Sequence, residues 1–65
     1  MAESETLADF SEQRRQEVFR ALVELQDEGM AVAESRAAIG ERYGLTEAQI
    51  RRIEEEGMDN EWPPL

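Results

Sequence analysis

Apolar residues recur every three or four positions along much of the chain, which is the spacing of amphipathic helices. The clearest early stripe has spacings of four and three residues: Val18, Leu22 and Leu25. Polar and charged residues take most of the opposite side of the same helix. Ser11 is a suitable N-cap before this stripe, and Gly29 can adopt the positive φ that ends many helices. The pattern therefore predicts a long first helix over residues 11–28.

Two shorter helices, separated by a tight turn, are predicted for residues 31–56. The first of them is rich in alanine, and its apolar face has spacings of seven and four residues: Val32, Ile39 and Tyr43. It begins either at Met30 or Ala31, or later, with Ser35 as its cap. Arg36 interrupts the apolar face. We expect its guanidinium either to reach the edge of the core or to pair with an acidic neighbour.

The turn and the start of the last helix carry the most specific local signals. Gly44 accepts the left-handed backbone of a tight turn at little steric cost, and Leu45 is then expected to return to the core. Thr46 and Gln49 have the spacing of a capping box, in which each side chain satisfies a free backbone donor. The buried edge of this helix is predicted to consist of two residues: Ile50 and Ile53. Gly57 is predicted to end the helix.

Both ends of the chain lie outside these three helices. Residues 1–10 are polar apart from Leu7 and Phe10, and they are predicted to form a frayed lead-in that covers one end of the core. Residues 58–65 contain the single tryptophan and both prolines, which predict an extended tail. Because Trp62 is costly to expose, the tail either folds back as a lid or offers Trp-Pro-Pro-Leu to a groove on another protein.

Together these elements predict an all-α fold, a small three-helix domain over residues 1–65 with a helix-turn-helix and an extended tail. A chain of 65 residues is near the lower limit for folding around one core. The absence of cysteine and histidine excludes disulfides, Cys/His zinc sites, thiol nucleophiles and imidazole bases. No other ligand set stands out. We therefore expect a protein that is not an enzyme and has no cofactor, metal site or catalytic residue.

The net charge of the chain limits the kinds of partner that it can bind. The chain has 16 acidic and 7 basic residues, a formal net charge of −9, which opposes duplex DNA unless positive charge gathers on one face. Every basic residue is arginine, whose planar guanidinium suits bidentate contacts. No apolar run is long enough to span a membrane, and the N-terminus is acidic where a signal peptide would be basic. We expect a soluble, cytoplasmic protein without membrane contact.

The stretch from Ile39 to Glu54 resembles the helix-turn-helix in the fourth, promoter-binding region of bacterial RNA polymerase sigma factors. The similarity lies within residues 36–56 and rests on the Ile-Gly-Glu-Arg lead, the Gly-Leu-Thr turn and the closing Ile-Arg-Arg-Ile-Glu. Two features depart from the family pattern. Glu47 and Ala48 stand where sigma factors usually place arginines, and Arg36 stands where they tend to carry an apolar residue.

The resemblance implies a transcription regulator whose second motif helix enters the major groove of DNA. The positions that it implies as DNA contacts are Thr46, Glu47, Ala48, Arg51, Arg52 and Glu55. A dimer would bring two such helices to adjacent grooves. The first helix is longer than a small core needs, and its surplus length is either a contact between two copies or a solvated surface.

The alternative keeps the same fold and uses it for protein contact, because a fold does not dictate its function. An acidic run ends the last helix, at the negative end of the helix dipole, where a basic partner would be stabilising. In this interpretation the protein engages a basic partner, such as a transcription component, through acidic and tail residues: Glu54, Glu55, Glu56, Trp62, Pro63, Pro64 and Leu65.

Overall fold

The computed structural model describes residues 10–64, which form three α-helices and no strand. The helices are α1 (Glu12–Asp27), α2 (Val32–Tyr43) and α3 (Glu47–Asp59), and each one packs against the other two. The predicted all-α class with three helices is therefore confirmed. Most of the predicted lead-in, including Leu7, lies outside the described residues, as does Leu65.

The ends of α1 follow the sequence signals. The Ser11 hydroxyl accepts a hydrogen bond from the backbone N–H of Arg14 at 3.2 Å, so Ser11 is the N-cap. At the other end Gly29 has a φ of +102°, and its N–H donates to the carbonyl of Gln26 at 3.0 Å. The N–H of Met30 donates to the carbonyl of Leu25 at 3.1 Å, which completes a Schellman motif. The predicted limits of this helix are confirmed to within one residue.

Of the two predicted starts of α2, the earlier one is the closer, and it precedes the observed start by one or two residues. The helix begins at Val32, and Ala31 is an N-cap whose side chain makes no capping hydrogen bond. Ser35 is not a cap. Its buried hydroxyl donates to the carbonyl of Val32 at 2.7 Å and accepts from the side-chain amide of Gln26 at 3.0 Å. Val32 was predicted to lie on the buried face, but it is 49% exposed because it stands at the first, peripheral turn of the helix.

The turn between α2 and α3 is tight, and a glycine directly follows the last residue of α2. Gly44 has a φ of +70°, and the N–H of Leu45 donates to the carbonyl of Gly40 at 2.8 Å. A Cβ atom on Gly40 would lie 2.8 Å from the carbonyl oxygen of Leu45, so any larger residue there would push the turn away. The capping box is confirmed, since Thr46 and Gln49 exchange hydrogen bonds at 2.9 and 3.1 Å.

The predicted end of α3 at Gly57 is wrong, because the helix continues to Asp59. Gly57 is buried, and a Cβ atom there would overlap the ring of Phe19. Its small size therefore serves the contact between α3 and α1. The chain reverses later, at Glu61, which has a φ of +51° although it is not a glycine.

The predicted extended tail instead begins with a Schellman motif at the end of α3. The N–H of Trp62 donates to the carbonyl of Gly57 at 2.9 Å, and the N–H of Glu61 donates to the carbonyl of Met58 at 3.3 Å. This reversal places Trp62 against Phe19, with the rings edge to face and their centroids 6.1 Å apart. Trp62 is only 5% exposed and is part of the core: Val18, Phe19, Leu22, Ile39, Ile50, Ile53 and Trp62.

Candidate nucleic-acid interface

One side of α3 packs into the core, and the predicted contact residues lie on the other side. Ile50 and Ile53 are core residues, and Gly57 is buried against Phe19 of α1. The predicted set consists of five exposed residues and the half-buried Ala48: Thr46, Glu47, Ala48, Arg51, Arg52 and Glu55. Since three- and four-residue spacings share a helix face, they form a continuous surface from the N-cap to the third turn. We call this surface the α3 face.

The arginines of the chain differ in how far they are engaged by neighbours. Four of them are in ion pairs: Arg14 with Glu17, Arg15 with Glu56, Arg20 with Glu24, and Arg36 with Glu54. A fifth, Arg42, lies over the ring of Tyr43, with its guanidinium carbon 5.7 Å from the ring centroid. Arg51 and Arg52 have no ion-pair partner among residues 10–64. The two arginines that have neither an ion pair nor a ring contact among residues 10–64 are therefore both on the α3 face.

A bidentate ion pair joins the start of α1 to the end of α3. Arg15 donates from Nε to Glu56 Oε1 at 2.8 Å and from Nη2 to Glu56 Oε2 at 2.9 Å. Its Nη1 also donates to the carbonyl of Phe10 at 2.6 Å. The hydrogen bond to Glu56 is the main cause that raises the pKa of Arg15 above its ordinary value. Glu56 therefore helps to hold the end of α3 against the start of α1.

A second ion pair explains the arginine on the apolar face of α2. Arg36 Nη2 lies 2.9 Å from Glu54 Oε1, and the two side chains are 25% and 17% exposed. Arg36 Nη1 is also 3.9 Å from Glu47 Oε2, at the start of α3. Of the two outcomes expected for Arg36, pairing with an acidic neighbour is the one observed.

The residues of the alternative, protein-binding set do not form one exposed surface. Glu54 and Glu56 are held in ion pairs, and Trp62 is buried. Glu55 and the two prolines are exposed: Glu55, Pro63 and Pro64. The last member of the set, Leu65, is outside the described residues.

An apolar groove at the junction of the three helices was missed by sequence reasoning. It has a volume of about 360 Å³, and Phe19, Leu22 and Val23 line it from α1. Its remaining apolar lining comes from Val32 and Met58, which are 49% and 63% exposed. Met58 had been assigned to the tail. Had α3 been extended past Gly57, the four-residue spacing would have placed Met58 beside Glu54, at the edge of the buried stripe.

Two other features are absent from the described part of the chain. Residues 10–64 contain no group of three or more acidic side chains placed to hold a metal ion. None of the three helices is long and apolar enough to cross a membrane.

Comparisons of the chain with protein-family models, with curated proteins and with solved structures gave no match.

Proposed function

We propose that this chain is a small helix-turn-helix protein of the transcription-regulator type, in which α2 and α3 form the motif and α3 enters the major groove of duplex DNA. One observation carries the proposal. The exposed face of a helix with a well-formed cap bears two arginines, Arg51 and Arg52, that have no ion-pair partner among residues 10–64. Both guanidinium groups can bind phosphates or guanine edges without breaking a contact inside the protein.

The other residues of the α3 face fit the edges of base pairs. The Thr46 hydroxyl stands at the exposed start of α3, where side chains of such helices approach the bases. Glu47 can accept a hydrogen bond from the amino group of cytosine. Ala48 is small enough to contact a thymine methyl group. In this arrangement the arginines position the helix, and the residues of its first turn read sequence.

The charge of the protein predicts weak binding by a single copy. The net charge of −9 repels the DNA backbone, and Arg51 and Arg52 can neutralise about two phosphates. Two phosphate contacts give a slope of about −1.8 in the logarithmic salt plot, so a fourfold rise in salt weakens binding about twelvefold. A dimer on two half-sites would double this slope.

The test is a titration of fluorescent duplex DNA with the protein, followed by anisotropy, at salt concentrations from about 50 to 200 mM. Arg51→Ala with Arg52→Ala should abolish binding. The matched control is Arg14→Ala with Arg20→Ala, which removes the same charge from exposed arginines of α1 that make only local contacts.

The comparison of the two double variants separates a specific face from general charge. If the control lowers affinity as much as the α3 variant does, the arginines act only through net charge, and the α3 face is not the binding site. Absence of binding by the unmodified protein at about 50 mM salt would contradict the proposal, because electrostatic attraction is strong at that salt concentration. Circular dichroism of each variant shows whether the helices remain folded.

The alternative function, protein contact through the acidic run and the tail, has less support from the geometry. Glu54 and Glu56 already neutralise arginines of other helices, and Trp62 contributes to the core. Binding through Trp62 would require the tail to leave Phe19, which would expose both aromatic rings. The exposed members alone, chiefly Glu55 and two prolines, offer a basic partner little area.

A further inference from the structure

The apolar groove described above is formed by all three helices. Phe19 and Leu22 are buried at its floor, and Val23 lies half-buried beside them. Val32 from α2 and Met58 from α3 complete the lining, and they are the two large hydrophobic side chains that remain exposed in residues 10–64. Single exposed apolar residues are ordinary, but both of these border the same cavity. A clustered apolar patch of this kind is typical of an interaction site.

The charged groups that line the groove neutralise each other. Arg36 and Glu54 are its charged lining residues, and they form the ion pair at 2.9 Å. The interior of the groove is therefore apolar and has no unpaired charge. An apolar side chain can enter it without removing water from an unpaired charged group.

Two of the helices that line the groove, α1 and α3, each end in an acidic residue that directly follows a lining residue. In α1, the lining residue Gln26 is followed by Asp27, the last residue of the helix. In α3, Met58 is followed in the same way by Asp59. Neither helix has a basic residue in its last turn. Each C-terminus also carries about half a negative charge from the helix dipole, and no basic side chain of that turn offsets it.

We propose that this groove binds an amphipathic helix of another protein, one that inserts apolar side chains between Val32 and Met58 and has lysine or arginine on both sides of them. The apolar lining would supply the affinity, and the two negative helix ends would select the basic flanks. This surface shares no residue with the α3 face, and it shares only Glu54 with the acidic run and the tail. The proposal therefore does not depend on DNA binding.

A second copy of the chain fits the groove less well than a basic helix. Each copy has a net charge of −9, and a symmetric pair would bring the same patch of both copies together. The negative ends of α1 and α3 in one copy would then lie close to those of the other copy. Like charges placed opposite each other in an interface are destabilising, and a basic partner would remove this repulsion.

The test uses two synthetic amphipathic peptides that share one pattern of leucines. One peptide has a lysine-rich polar face, and the other has glutamate in place of every lysine. Each is titrated into isotope-labelled protein, and the methyl and amide signals are followed by NMR. We expect the lysine peptide to bind and to shift the methyl signals of Val23, Val32 and Met58 in preference to those elsewhere.

Variants separate insertion into the groove from general attraction to an acidic protein. Val32→Thr with Met58→Gln should weaken binding of the lysine peptide about tenfold, because apolar anchors dominate such contacts. Ala33→Gln is the matched control, an exposed position of α2 that does not line the groove, and it should bind like the unmodified protein. Val32 and Met58 are both exposed, so the helical circular dichroism signal should persist.

Four results would overturn the proposal. They are failure of the lysine peptide to bind, equal binding of the glutamate peptide, an unchanged affinity of the Val32→Thr with Met58→Gln variant, and shifts confined to residues outside the groove. A fifth is also decisive. If the groove signals shift with protein concentration in the absence of peptide, the occupant is a second copy of the chain.

Discussion

Replacement of Gly57 by alanine tests how closely α3 approaches α1. Gly57 lies in the last turn of α3, where alanine is normally the better helix former by up to about 1 kcal/mol. Here the added Cβ atom would overlap the ring of Phe19, which is 2% exposed and surrounded by the core. The ring therefore has little room to move away. The structure and the intrinsic helix propensity predict opposite signs for the change in stability.

The magnitude follows from these two effects. Overpacking of a filled core costs about 1–3 kcal/mol, and overlap with an enclosed ring belongs near the upper end. After the gain in helix propensity is subtracted, Gly57→Ala should lower the free energy of unfolding by about 2 kcal/mol. For a domain of this size, each kcal/mol corresponds to about 4–8 °C in Tm.

Urea unfolding followed by circular dichroism measures this loss directly. The control is a double-mutant cycle with Phe19→Leu, which removes the ring. The double variant should lose less stability than the sum of the two single variants, because leucine leaves room for the new methyl group. If Gly57→Ala stabilises the protein, or if the two losses add, then α3 does not pack on Phe19 in the way described.

Two further changes test the helix ends. Thr46→Ala removes the hydroxyl that accepts the Gln49 N–H, so it should lower the free energy of unfolding in urea by about 1 kcal/mol. Thr46→Ser keeps the hydroxyl and should be near neutral. Equal losses of stability in the two variants would show that the capping bond contributes nothing. Glu61→Gly should stabilise the protein by about 1 kcal/mol, since glycine accepts a φ of +51° without the steric cost that other residues bear. Glu61→Ala keeps the Cβ atom, so the same gain in that variant would refute the steric explanation.

The helices could be predicted from sequence where a local signal exists. Ser11, Gly29 and the Thr46–Gln49 box act through hydrogen bonds to their own neighbours, and their roles were predicted correctly. Gly57 was misread because a glycine after an apolar stripe is typical both of a helix end and of a close contact between helices. Only the position of Phe19, far away in sequence, distinguishes the two.

The surface was harder to predict than the helices, for a physical reason. A run of three glutamates gives no sign of which carboxylates are free, because ion pairs between helices depend on tertiary packing. Glu54 and Glu56 point to arginines of α2 and α1, and Glu55 between them is exposed. The apolar groove was missed for the same reason, since its walls come from three helices.

These ion pairs change how the acidic charge of α3 bears on the proposed DNA binding. The helix contains five acidic residues and two arginines, which by sequence alone makes it a poor ligand for a polyanion. Arg15 and Arg36, however, bring one positive charge each to Glu56 and Glu54 from the neighbouring helices. The net charge near α3 is therefore less negative than its sequence suggests. In the proposed DNA complex, the pairing of Glu54 and Glu56 with Arg36 and Arg15 would leave Arg51 and Arg52 free to approach phosphates. The repulsion that remained would come from Glu47 and Glu55 on the α3 face and from carboxylates elsewhere on the surface.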